Sequence, residues 1–335
     1  MPRITLDVRV EKLRLAAPFR ISGFVFEEQD VAVVELRDGR HRGRGEASGV
    51  YYLNDRIEAI VAAIESRRTA IESGLDRTSL QGLLPPGGAR NAVDCAMWEL
   101  EASQRGLPVA ELAGVGILHP LVTTFTLGAD DPRKMADGAR QYAHARRLKL
   151  KLTGDLNVDI ARVQAVRAAR PEVWMGVDAN QGYHIDTLRK LIGELVSAKV
   201  SLLEQPLPRG READLQGFIA PIPIAADESA LSLTDLPGLL GRFQIVNIKL
   251  DKCGGLTEGL AMARKAREIG LGVMVGNMVG TSLAMAPGYV LGQLCDVVDL
   301  DGPIFLSRDR TPGAVYADGK IQCGEEIWGS GRPSS

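Results

Sequence analysis

The spacing of apolar positions changes twice along the chain. Residues 1 to about 50 alternate apolar and polar positions, as in ITLDVRVEKL and VAVVELRDG, with a turn at DGRHRG. That period predicts strands with one buried face. Two stretches with apolar residues three and four apart follow, DRIEAIVAAIESRRTAIES and ARNAVDCAMWELEASQRG, and predict helices, the second ending at Gly106. Together with GLPVAELAG they complete an α+β segment over residues 1–115.

From Leu121 short apolar runs alternate strictly with amphipathic stretches. The runs are LVTTFTLG, LKLKLTG, VWMGVDAN, VSLLEQP, IPIAADES, IVNIKLD, LGVMVGN and VVDLDG. Between them lie helical patterns such as NVDIARVQAVRAARP, for which Asp155 and Asn157 are candidate caps. Eight nearly continuous apolar strands predict a parallel sheet covered by helices. The economical closure is an α/β fold of TIM type, a (β/α)7β barrel over residues 116–308. An open doubly wound sheet is the alternative, but no GxGxxG or Walker A motif opens a βα turn. Residues 309–335 are expected to return to the N-terminal capping domain through AVYADGKIQCGEEIW, with the terminal GSGRPSS disordered.

Composition narrows the function classes. The 335 residues carry a formal net charge of -2, with 45% hydrophobic and 24% charged residues, so nothing in the charge favours nucleic acid or an anionic membrane as partner. No apolar run is long enough to span a bilayer, and the N-terminus lacks a signal core; a cytoplasmic protein is expected. Cys95, Cys253, Cys295 and Cys323 have no CxxC spacing and read as reduced thiols. None of the four histidines ends a barrel strand. Homo-oligomerisation is compatible with the sequence, which does not specify it.

Charged residues recur where the strands end: Lys151, Asp178, Glu204, Asp227, Lys249 and Asp299. In a barrel these positions form a ring around the mouth that carries chemistry. Three carboxylates on successive strands, Asp178, Glu204 and Asp227, repel one another unless a cation lies between them, and hard oxygen donors suit Mg²⁺. Lys149 and Lys151 share a face of the second strand, the barrel interior, and Lys249 projects from the sixth strand across the mouth. A buried lysine beside other cations is expected to have a lowered pKa and to act as a base near neutrality. Two lysines on opposite sides of one carbon can remove a proton from one face and return one to the other. The resulting enediolate is expected to be held by the metal, with Lys149 as a fixed positive charge.

DAN at Asp178, LEQPLP at Glu204, ADES at Asp227 and NIKLDKCGGLTEGL around Lys249 resemble the enolase superfamily. Within it they are similar to the muconate-lactonizing subgroup, marked by KxK on the second strand and a lysine on the sixth. The resemblance covers essentially the whole chain, including ARNAVDCAMWEL. It implies Mg²⁺ as cofactor, Lys151 and Lys249 as the acid/base pair, and isomerase chemistry.

Asp299 and Asp301 put two carboxylates on one face of the eighth strand, suited to a substrate ammonium opposite a metal-bound carboxylate. That points to a dipeptide substrate and resembles dipeptide epimerases, including the L-Ala-D/L-Glu type. N-acylamino acid racemase or o-succinylbenzoate synthase is the nearest alternative, and a non-catalytic peptide-binding relative a further one. Thr126, Phe24 and Met278 are also expected to touch substrate. In APFRISGFVFEEQD, Arg20 follows the Pro-Phe pair, but Phe24 and Phe26 stand where the resemblance leads one to expect a cation. Asn277 departs from the cysteine or glycine the resemblance implies.

Overall fold

The alternation of the first fifty residues forms an antiparallel sheet of three strands, β1 (Thr5–Ile21), β2 (Phe24–Asp38) and β3 (His41–Ser48). The computed structural model describes residues 4–21 and 23–333. In β2, Ala32, Val34 and Leu36 pack with Ile60 and Ile64 of the capping domain, whereas Val31 and Val33 join the barrel core. Successive strand side chains face opposite ways, so one strand serves two hydrophobic layers. The long helix Gly88–Arg105 lies on this sheet and ends at Gly106 with φ 67°. A Cβ on Gly43 or Gly45 would stand 1.9 or 2.0 Å from the carbonyl oxygens of Ala96 and Ala92, so only glycine permits this approach of β3 to the helix. The helix expected across residues 55–73 is interrupted at Arg67, giving Ile57–Ser66 and Arg68–Glu72.

Eight parallel strands follow in sequence order: Thr124–Leu127, Arg147–Lys151, Trp174–Asp178, Leu202–Glu204, Ile224–Ala226, Ile245–Lys249, Gly272–Gly276 and Val297–Val298. A bridge between Thr123 and Val298 brings the last beside the first. Leu300 N–H also donates to Thr123 Oγ1 (2.9 Å), closing the barrel. Leu148, Leu150, Leu203, Val246 and Ile248 belong to the large core shared with the helices. The alternate positions point inward. Leu202, Ala225, Met274 and Val297 pack with Trp174 and Ile245 as a separate apolar plug. Two residues after Leu202, Ala225 and Val297 come Glu204, Asp227 and Asp299, and four after Trp174 comes Asp178, so the interior is apolar at one end and ionic at the other. Asp155 caps the helix Leu156–Ala169, while Asn157 lies within its first turn.

The C-terminal strands Val315–Ala317 and Lys320–Gln322 pair with each other, and the second pairs with Leu121–Val122, just before the first barrel strand. The chain then reaches the capping domain, where Trp328 Nε1 donates to Arg44 O (2.9 Å). Residues 329–332, expected to be disordered, are instead fixed to the long helix. Gly329 N–H donates to Glu99 (3.0 Å) and Ser103 Oγ to Arg332 O (3.1 Å), bonds that sequence pattern alone does not reveal. Ser334 and Ser335 lie outside the described residues. Among the described residues no helix is long and apolar enough to cross a membrane.

The long helix also locks the capping domain onto the turn Leu250–Cys253 behind Lys249. Arg90 donates to Cys253 O (2.5 Å) and pairs with Glu258, and Asp94 accepts Thr257 N–H (2.9 Å). Asp251 accepts from Ser48 N–H (3.0 Å) and Asn91 Nδ2 (3.2 Å). Burial pushes the Asp251 carboxyl up to about 7, against the hydrogen bonds from Asn91 and Ser48. Folding thus favours its protonated form, and its contribution to stability falls as pH rises from its unfolded value near 4 towards 7. Asp251→Asn removes this titration. Compared with the parent, the variant should gain about 2–4 kcal/mol between pH ~4 and pH ~8, read from denaturant midpoints. A difference that is the same at both pH values excludes this account.

Candidate active site

Asp178 and Glu204 are the last residues of the third and fourth barrel strands, and Asp227 directly follows the fifth. All three are buried, and one oxygen from each lies within 4.8 Å of the others. Lys151 Nζ donates to Asp178 Oδ2 (2.6 Å) from one side, and Lys249 Nζ to Asp227 Oδ2 (2.6 Å) from the other. Lys149 Nζ lies 3.4 Å from Glu204 Oε2 and pairs directly with Asp299.

The expected lowering of lysine pKa is corrected by these contacts. Burial alone pulls Lys149 and Lys249 down, but the nearby carboxylates outweigh it and raise both, chiefly Asp299 and Glu204 for Lys149 and Asp227 for Lys249. Each of the three lysines makes a direct ion pair with a buried carboxylate. Glu204 is pushed up to about 7 by burial and then by Asp178. Asp227 is held low, because Lys249 and Lys252 overcome its burial.

Sequence reasoning missed several groups. Lys252 is completely buried and donates to Asp227 Oδ1 (2.6 Å) and Asn247 O (3.0 Å). Asn247, two residues before Lys249 and so on the same inward face, donates to Glu204 Oε1 (2.6 Å). Strand alternation could have identified Asn247; Lys252 sits on a single helical turn that no period marks. Gln205 Oε1 accepts the N–H groups of Asp227 (2.9 Å) and Ser229 (3.1 Å), fixing the loop that carries the third carboxylate.

Three convergent carboxylates fit a hard divalent cation such as Mg²⁺. Buried oxygens without a hydrogen-bond partner adjoin them: both of Glu228, Oδ1 of Asn180 and Oδ1 of Asn247. A hydrated cation, whose waters are donors, suits that surplus of acceptors. Glu228 is pushed up to about 8 by burial and then by Asp227, the mark of negative charge in excess.

Across the mouth, Asp299 accepts from Thr124 and Lys149, and Asp301 Oδ2 accepts Thr126 N–H (2.7 Å). Burial, then Asp299, pushes Asp301 up to about 7, whereas Lys149 holds Asp299 low against its burial. The two acids that alternation places on one face therefore differ: Asp299 is paired with Lys149, and Asp301 makes no ion pair among the described residues. Asn277 Oδ1 accepts Gly302 N–H (2.9 Å), tying the loops after the seventh and eighth strands together.

A cavity opens over this ring, lined by Lys149, Lys151, Lys249, Asp227, Asp299, Asp301, Thr126 and Met278. Its roof comes from the capping domain, including Phe19, Ile21, Phe26 and Tyr51. Phe24, expected at the substrate, does not line it. In the hairpin register Phe19 faces Phe26 while Ile21 faces Phe24, so Phe24 sits two pairs nearer the tip and remains 47% exposed. Its ring packs on Tyr51 instead, centroids 4.6 Å apart.

Residues 3–114 match the mandelate racemase / muconate lactonizing enzyme N-terminal domain, and residues 134–322 match the enolase C-terminal domain-like family. An L-Ala-D/L-Glu epimerase from Escherichia coli (strain K12) is 38% identical over 319 residues, 95% of this chain and 99% of the relative. An enolase family member from Agrobacterium tumefaciens with homology to dipeptide epimerases was solved with bound sodium and L-Ala-L-Glu. It superposes with TM-score 0.94 at 41% identity, covering 97% of this chain and 100% of its own. A dipeptide epimerase from Methylococcus capsulatus, complexed with Mg and L-Arg-D-Lys, gives TM-score 0.90 at 31% identity over 99% and 98% of the two chains. The chain belongs to the enolase superfamily, in its mandelate racemase/muconate lactonizing enzyme branch, and its relatives there include dipeptide epimerases.

Proposed function

We propose that this protein is a Mg²⁺-dependent dipeptide epimerase that inverts the α-carbon of the C-terminal residue. The observation that carries the reading is the placement of Lys151 and Lys249 on opposite sides of one buried carboxylate cluster, each 2.6 Å from a member of it. Asp178, Glu204 and Asp227 would hold the metal, which supplies positive charge to a substrate carboxylate as negative charge builds on it. Lys149, fixed between Asp299 and Glu204, adds a permanent positive charge at the same place.

Proton transfer belongs to the two lysines. One would enter neutral, its proton given up as bound metal offsets the carboxylates that otherwise raise it, and remove the α-proton; the other, entering as ammonium, protonates the opposite face. One turnover inverts the centre and exchanges their protonation states. Asp301, a buried acid with no ion pair among the described residues, supplies the seat for the dipeptide ammonium, with Asp299 beside it. Thr126 holds Asp301 through its backbone and, like Met278, contributes to the cavity wall. We place the enzyme in the cytoplasm, a reading supported by four cysteines that are all free.

Incubating a library of L,L-dipeptides with the enzyme and Mg²⁺ in D₂O should give single α-deuterium incorporation with inversion at the C-terminal residue. No exchange across a broad library eliminates the reading. The N-acylamino acid racemase alternative separates at Asp301. Asp301→Asn should lower kcat/KM for dipeptides by ~30-fold or more, the cost of leaving a buried ammonium without its acid. N-acylamino acids carry no ammonium, so a variant that keeps its activity on them, in an enzyme that prefers them, favours the alternative.

A further inference from the structure

We propose that the residue this enzyme inverts carries an uncharged, apolar or aromatic side chain, selected by a wall that the β1–β2 hairpin and the Tyr51 turn build over the cavity. The inference rests on the dipeptide reading above and adds the side-chain class. Four lining residues set the character of this wall, Phe19, Ile21, Phe26 and Tyr51; Gln29 is the polar member of the hairpin, and Met278 adds an apolar side chain from the barrel. Tyr51 ties the aromatic part together, its ring 5.6 Å from Phe26 and 5.1 Å from Tyr52.

Charge balance points the same way. Among the described residues, the only cations lining the cavity are Lys149, Lys151 and Lys249, and each is already paired with a buried carboxylate. Arg20, the basic residue of this part of the hairpin, is turned away by strand alternation: Phe19 and Ile21 on either side of it face the cavity. Its guanidinium lies 3.9 Å from Asp130 on the outer side, and its carbonyl accepts Ala129 N–H (2.8 Å). A side-chain carboxylate would enter a buried space that holds Asp227, Asp299 and Asp301 and has no free cation. Burying an unpaired charge costs far more than the apolar surface beside it returns. A neutral apolar or aromatic side chain buries that surface at no such cost.

The test compares kcat/KM for α-deuterium exchange of L-Ala-L-Leu and L-Ala-L-Phe with that of L-Ala-L-Glu and L-Ala-L-Lys. The apolar pair should be preferred by at least ~10-fold, and Phe26→Arg, which sets a cation in the wall, should shift the Glu-to-Leu ratio upward by a similar factor. Exchange of L-Ala-L-Glu or L-Ala-L-Lys as fast as that of the apolar pair overturns the preference while leaving dipeptide epimerisation in place. A ratio unmoved by a folded Phe26→Arg variant overturns the assignment of the wall. Absence of exchange with every dipeptide removes the epimerase reading itself and this preference with it.

Discussion

Lys249→Ala is expected to abolish net epimerisation, by about 10²–10⁴-fold or more, while the variant still exchanges the α-proton of one substrate diastereomer with D₂O. The lysine that remains can take and return a proton only on its own face. Starting from the L,L-dipeptide and from its epimer separately, mass spectrometry should find deuterium in one and not in the other. Lys151→Ala should show the opposite pattern. Geometry predicts that both variants fold. Asp227 keeps Lys252 at 2.6 Å when Lys249 is lost, so its charge is not left alone. Asp178 keeps its bond from Asn180 N–H (2.9 Å) when Lys151 is lost. If either variant inverts dipeptides at the parent rate, the two-lysine arrangement is wrong.

Glu204→Gln is expected to weaken Mg²⁺ binding by at least ~100-fold and to eliminate metal-dependent stabilisation. Glu204 occupies the middle of three successive strand ends and contributes one of the three converging oxygens. Metal at about 100 times its Kd should raise parent stability by ~2.7 kcal/mol. In the variant that rise should vanish, as read by calorimetric titration and by melting with and without Mg²⁺. The amide keeps an acceptor for Asn247 Nδ2 and introduces no buried charge, so the metal-free variant should melt no lower than the metal-free parent. Tight Mg²⁺ binding by the variant would remove Glu204 from the metal site.

Much of this site was legible in the sequence because a βα repeat assigns a known direction to every strand end. Asp178, Glu204, Asp227 and Lys249 needed only the period of the repeat and the side-chain alternation of a strand. Asp299 was harder. Its partners Thr124 and Lys149 come from the first and second strands, and they meet it only once the barrel has closed. Alternation gave Asp299 and Asp301 the same face but could not show that one is already paired. The basicity of Lys149 and Lys249 was misjudged for a related reason: neighbouring lysines were evident from spacing, whereas the direct ion pairs with carboxylates were not. Phe24 and Phe26 share a face of β2, and only the hairpin register, with its irregularity between Arg14 and Phe19, decides which reaches the cavity. The fixed tail at residues 329–332 depends on long-range bonds to Glu99 and Ser103, which leave no local pattern.

The division of the cavity between two domains has an evolutionary consequence. The groups that handle the proton are rooted in barrel strands, whereas the side-chain wall hangs from the β1–β2 hairpin and the Tyr51 turn, whose lining residues make no hydrogen bond to the lysines among the described contacts. The hairpin is held on the barrel through its backbone, where Arg20 O and Arg14 O accept the N–H groups of Ala129 (2.8 Å) and Ser307 (2.9 Å). Mutations at Ile21, Phe26 or Tyr51 can therefore retune diet without retuning chemistry. A lineage built on this plan can acquire new peptides by changing a few positions in its hat and leaving its engine alone.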